Sequence, residues 1–306
     1  MRSTAKAAGL VVVAVLAAVV AGGVTTRPAP TATAATPSAT ASVTPSAALA
    51  PVAAPRPRAT PSSTFKVDLS EPVRKNKLYV AGKVPAVRCP LPKANLASKT
   101  GILAYSRALV ACMDRAWAPL IARSNAYFQP ARVYVYSLAK LSATPACADP
   151  LDNVDAFYRR DGTICLEYPE FLAPGSPAWD VIDLQQLIAH EYGHHVQMSV
   201  GIMTAYDLGG WATAKAAQLE TERRKELQAS CLGAAFLGAN KRTFKLTGGR
   251  HEIWTEIVHH VGDEYNPARI RDHGSRRNHG YWTTRAFTSG NPASCNTFTA
   301  SAKRVS

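Results

Sequence analysis

His190, Glu191, Tyr192, Gly193 and His194 are consecutive, and their types and spacing suit one kind of chemistry. In an α-helix, residues i and i+4 share a face one turn apart, so His190 and His194 close on a single ion with Glu191 beside it. Two imidazole ligands need a third protein ligand and leave a further position for water, which is the arrangement of a hydrolytic zinc centre with Glu191 as general base. The plain alternative is a polar helix whose histidines are merely hydrogen-bonded. His195 points about 100° away from His194 around such a helix and is expected to support the site or face solvent.

The surrounding residues predict that helix. Ser176-Pro177 supplies a hydroxyl N-cap and a proline at the first helical position, where its missing N–H costs nothing. Val181, Leu184, Leu187, Ile188, Val196 and Val200 recur with helical period, Asp180 and Asp183 fall where the macrodipole favours negative charge, and Gly201 marks the stop. A second long helix is predicted from about Ala212 to Asn240. Its Glu220, Glu222, Arg223, Arg224 and Lys225 read as a solvated face. Glu226 differs from them, because it opens Glu-Leu-Gln-Ala-Ser-Cys, where the chain turns from charged to apolar. It is therefore the best-placed third ligand. Ser98–Ser124 reads as a scaffold helix, and Arg132–Leu138 and Thr163–Tyr168 as strands. The second strand is the candidate edge for pairing with an extended substrate.

The chain begins with Arg2 and Lys6, then an uncharged apolar run to Val24, so residues 1–24 read as a signal peptide or a retained signal anchor. Residues 25–64 are nearly all Ala, Pro, Thr, Ser and Val and are expected to form a disordered tether. Residues 65–306 are long enough for one well-buried domain. All 6 cysteines lie there, none in a Cys-x-x-Cys pair, and an even count in an exported chain favours disulfides. Order and spacing lead to Cys89–Cys112, Cys147–Cys165 and Cys231–Cys295. The expected location is secreted, or anchored to the outer face of a bacterial cytoplasmic membrane. The net charge of +14 suggests attraction to anionic envelope polymers, and no nucleic-acid module is recognisable.

The chain resembles the bacterial neutral zinc metallopeptidases of the His-Glu-x-x-His class. The matching pieces are His190 to Gln197, then Glu226-Leu227-Gln228-Ala229 with Cys231, then Val261-Gly262-Asp263-Glu264, then His273-Gly274-Ser275, Trp282, Ser289-Gly290 and Cys295 to Phe298. The resemblance implies an α+β, zincin-like domain, mostly helical with a small sheet. One Zn2+ per chain is then held by His190, His194 and Glu226, with Glu191 as general base. It also implies a protein or peptide substrate in the cell envelope, with the developing oxyanion stabilised by zinc and by His273 or Tyr265, His259, His260 and His279 being the other histidines available. Three positions depart from the family pattern. Ser230 replaces an Asp expected to orient a ligand histidine, a loss worth about 10-fold to 100-fold in metal affinity. Asn296 replaces another Asp. Arg159 stands where a cysteine is expected, leaving Cys165 as the partner of Cys147. These departures keep open a second expectation, a non-catalytic zinc-binding envelope protein that retains the protease fold.

Overall fold

The computed structural model describes residues 70–148, 155–209, 214–265 and 270–306. The expectations for residues 1–24 and 25–64 lie outside the described residues, as does the start, at 212–213, of the helix predicted from about Ala212. Among the described residues no helix is long and apolar enough to cross a membrane. The described residues form one compact unit.

The fold is α+β, mostly helical with a small sheet. A short helix α1 (Ser70–Arg74) precedes the long scaffold helix α2 (Lys99–Arg123), whose start is fixed by Ser98 Oγ accepting from Gly101 N at 3.1 Å. Ile102, Tyr105, Leu109, Cys112, Met113, Ala116 and Leu120 form its buried stripe, as their spacing predicts. Three strands follow: β1 (Arg132–Tyr136), β2 (Ala156–Arg159) and β3 (Thr163–Glu167). Their order is β1-β3-β2, with β3 parallel to β1 and antiparallel to β2. This corrects the expected substrate edge: β3 is paired on both sides and all five of its residues are buried, so β1 and β2 hold the two outer positions.

The metal-motif helix is α3 (Ala178–Ser199). Its N-cap is Pro177 and not Ser176, whose Oγ instead accepts from Leu96 N at 2.8 Å and ties the start of the helix to the loop before α2. Gly201, at φ +78, ends this run and begins the short α4 (Ile202–Leu208). Then come α5 (Lys215–Ala239), α6 (Gly249–His260) and α7 (Arg276–Ser289). Every residue of α5 from Glu226 to Gly238 is buried, so its apolar half passes through the core between α3 and α7 and needs no polar face. One large core joins α2, the sheet, α3 and the buried halves of α5 to α7.

Two of the expected disulfides are formed, Cys147–Cys165 and Cys231–Cys295. The third is not: Cys89 and Cys112 are neighbouring thiols, hydrogen-bonded to each other. Arg115 Nη2 holds this arrangement, donating to Cys112 Sγ at 3.2 Å and to Arg88 O at 3.0 Å.

Candidate metal centre

The centre exists because α3 and α5 touch backbone to backbone. Two glycines permit it: a Cβ on Gly193 would lie 2.2 Å from Ala229 O, and one on Gly233 would lie 2.4 Å from Ala189 O. The approach brings Glu226 Oε2 to 3.3 Å from His190 Nε2 and 3.0 Å from His194 Nε2. His273, in the loop before α7, adds its Nε2 at 3.7 Å from the same oxygen. Ligand atoms of His190, Glu226 and His273 all lie within 4.8 Å of one another. The four residues chosen from sequence thus meet at one place, and the imidazole of His273 is as well placed to reach an ion as to stand beside one.

Each histidine is held by its other nitrogen. His190 Nδ1 meets Ser230 Oγ at 2.8 Å. His194 Nδ1 meets Gln197 Oε1 at 2.9 Å, and Gln197 Nε2 donates to Lys225 O at 2.8 Å and to Gln228 Oε1 at 3.0 Å. Because Gln197 offers His194 an acceptor, Nδ1 carries a proton and Nε2 is the atom turned to the centre, where it meets Glu226 Oε2 at 3.0 Å. Glu226 is fixed similarly: Lys225 Nζ binds its Oε1 at 3.1 Å and leaves Oε2 for the ion. Burial opposes the charge on Glu226, but His194, Lys225 and hydrogen bonds from both histidines hold its pKa well below the usual carboxylate range. Nitrogen and carboxylate donors, oriented from behind and aimed at one point, fit zinc.

His273 Nδ1 is bonded to Asp272 Oδ1 at 2.7 Å. Burial works against its charged form, yet this bond and the charge of Glu226 raise its pKa to about 9. Asp263 fixes the loop from beneath, accepting from His273 N at 2.9 Å and Gly274 N at 2.7 Å. Tyr265 is exposed and bonded to Arg276 at 2.9 Å. His195 is buried, its Nε2 2.9 Å from Gln129 O and its Nδ1 3.2 Å from the hydroxyl of Tyr158 on β2, so it clamps α3 to the sheet.

Glu191 is 5% exposed and lines two cavities, of about 280 Å³ and about 440 Å³. Ala156 of β2 borders both, so the outer strand runs beside the general-base candidate. Sequence reasoning missed the supporting roles of Lys225 and Gln197, and it read Ser230 as the loss of an orienting group, whereas the hydroxyl keeps a bond to His190. It also left His279 among interchangeable histidines, although this residue is 1% exposed and lines the smaller cavity.

A family model described as "Putative neutral zinc metallopeptidase" matches residues 89–298. The chain is 32% identical over 123 residues to the "Uncharacterized protein YpfJ" of Escherichia coli strain K12, and equally to the protein of that name in the O6:H1 strain CFT073. The match covers 37% of this chain and 42% of each relative, so it spans less than half the length of these curated proteins. No solved structure matches.

Proposed function

The chain belongs to the neutral zinc metallopeptidase family, and from that premise we propose that it is an exported peptidase, with zinc held by His190, His194 and Glu226 and with Glu191 as general base. The observation that carries this reading is the convergence of two oriented imidazoles on the buried Glu226 carboxylate, with Glu191 at the cleft. When bound, zinc supplies Lewis acidity that polarises a carbonyl and acidifies water.

The protein's own groups do the rest. Glu191 takes the proton of the attacking water and returns it to the leaving amine. His273, held by Asp272 so that Nε2 faces the centre, places a donor beside the carbonyl oxygen as negative charge develops there. The outer strand β2 offers its free edge to an extended peptide, fixing the scissile bond over Glu191. Two disulfides suit an oxidising compartment outside the cytoplasm, and the charge of +14 suits a surface of anionic envelope polymers.

The test is cleavage of a broad peptide library by the purified protein with added zinc, beside Glu191→Gln. Cleavage by the wild type that a chelator stops, with bound zinc but no turnover in Glu191→Gln, is the expected result. Undiminished turnover in that variant would remove Glu191 from its role.

A further inference from the structure

The smaller cavity beside Glu191 has an acidic character that the metal centre does not need. One wall is α3 itself, where Asp183, Gln186 and Leu187 stand on the turns before His190, and the other begins at Asp155 and Ala156. Among the described residues no lysine or arginine lines it, and His273, which does, is paired with Asp272. The chain carries 35 Lys and Arg against 21 Asp and Glu, yet no salt bridge among the described residues involves Asp155, Asp180, Asp183, Glu167 or Glu170. These acids act on each other: burial and the charges of Asp155 and Asp180 raise the pKa of Asp183 to about 6. Like charges left together without a counter-ion repel, at a cost that a bound cation removes.

A second observation comes from the opposite side. His279, on α7, lines the same cavity at 1% exposure, and neither ring nitrogen has a hydrogen-bond partner among the described residues. A buried polar group left unpaired costs about 1–3 kcal/mol, and an imidazole nitrogen is a ready acceptor for an N–H donor. Gln186, on the α3 wall, has its Oε1 committed to Trp254 Nε1 at 2.8 Å. The cavity thus offers the Asp155 and Asp183 carboxylates and the His279 imidazole as acceptors, while its donors toward the metal centre are engaged elsewhere, His273 with Asp272 and Ser230 with His190. Its volume of about 280 Å³ lies at the lower edge of the ~300–1,000 Å³ typical of small-molecule sites. It is on the scale of a single side chain.

We propose that this cavity receives a lysine or arginine side chain of the peptide next to the scissile bond, with Asp155 and Asp183 as its anionic partners. The proposal rests on the peptidase reading and adds a substrate class to it: peptides with a basic residue at the cut. Carboxylates opposite a cationic side chain give charge-assisted hydrogen bonds, and with arginine these are bidentate. The same pair repels an acidic residue at that position, so discrimination comes from repulsion as well as attraction.

Binding and cleavage are measured separately, so that the two readings fail separately. Matched peptides differing only in a central Lys, Arg, norleucine or Glu are titrated against zinc-loaded Glu191→Gln full-length protein, and their cleavage by the wild type is followed in parallel. The Lys and Arg peptides are expected to bind about 10-fold or more tightly than the norleucine peptide, with the Glu peptide weakest. Adding Asp155→Asn and Asp183→Asn together brings the Lys to norleucine ratio close to one. Asp183→Glu, which keeps the charge, retains most of the preference and separates a charge effect from a structural one. Equal binding of all four peptides overturns the pocket assignment even if each is cleaved. A preference for basic peptides without any cleavage leaves the pocket standing and overturns the peptidase reading.

Discussion

Ser230 stands one helical turn beyond Glu226 on α5, and its Oγ lies 2.8 Å from Nδ1 of His190. The family pattern has Asp there, and a carboxylate would draw the Nδ1 proton more strongly and make Nε2 a better donor to the ion. The hydroxyl keeps the orienting bond and gives up the charge. Position and polarity are therefore retained. Ser230→Ala, which deletes the bond, is expected to weaken zinc affinity by about 10-fold to 100-fold, and Ser230→Asp to match or exceed the wild type. Competition with a chelator of known affinity measures both. An alanine variant that holds zinc as tightly as the wild type would show that packing alone orients His190.

At the scale of elements, the centre depends on how closely α3 and α5 approach. Gly233 faces Ala189, the residue before His190, and an added Cβ would lie 2.4 Å from its carbonyl oxygen. Backbone cannot yield as a side chain can, so Gly233→Ala must push the helices apart. Overpacking of this kind costs about 1–3 kcal/mol, and the shift also moves Glu226 away from the histidines, so zinc affinity falls with stability. Gly249→Ala, where nothing lies within 4 Å, is the control and leaves both unchanged. If Gly233→Ala matched that control in denaturant unfolding and zinc binding, the close approach would not be what assembles the site. The sequence carries much of this architecture and omits a definite part. Helices α2, α3 and α5 were legible because their apolar residues repeat or because the chain changes from charged to apolar at Glu226. The strand β2 was not: Ala-Phe-Tyr-Arg is too short to establish a period, and its outer place results from β3 inserting between it and β1. Assigning the edge to β3 followed from reading a continuous apolar run without its neighbours, although such runs mark strands covered on both faces. That His190, His194 and Glu226 would converge was legible from spacing in one helix plus a family pattern. Ser230, Gln197 and the Asp155 and Asp183 pair were not, since their roles arise from contacts between elements far apart in sequence.

Over the whole molecule, the stretch of α5 that carries Glu226 is fastened to the C-terminal segment. Arg224 donates to Thr297 O and, at 2.9 Å, to Ala300 O, while Thr297 Oγ1 donates back to Arg224 O at 2.6 Å. Arg223 Nε reaches Val305 O at 2.6 Å, and Gln228 Nε2 reaches Cys295 O at 3.1 Å. The Cys231–Cys295 disulfide closes this arrangement across 64 residues, whereas Cys147–Cys165 spans 18. Loop-closure entropy removed from the unfolded chain grows slowly with span, to about 4 kcal/mol for the longer bridge and about 3 kcal/mol for the shorter. Those figures differ too little to separate the bridges by stability alone, but their places in the fold do. The longer one fastens the helix that supplies Glu226, Ser230 and Lys225, and the shorter one joins β3 to the segment after β1. Cys231→Ser with Cys295→Ser is therefore expected to lower both unfolding free energy and zinc affinity. Cys147→Ser with Cys165→Ser should lower the first while sparing most of the second. Denaturant titration with and without a chelator reads the two quantities on the same protein. Equal loss of zinc affinity in both double variants would mean that the centre senses overall stability, and that the C-terminal fastening of α5 has no special part in holding the ion.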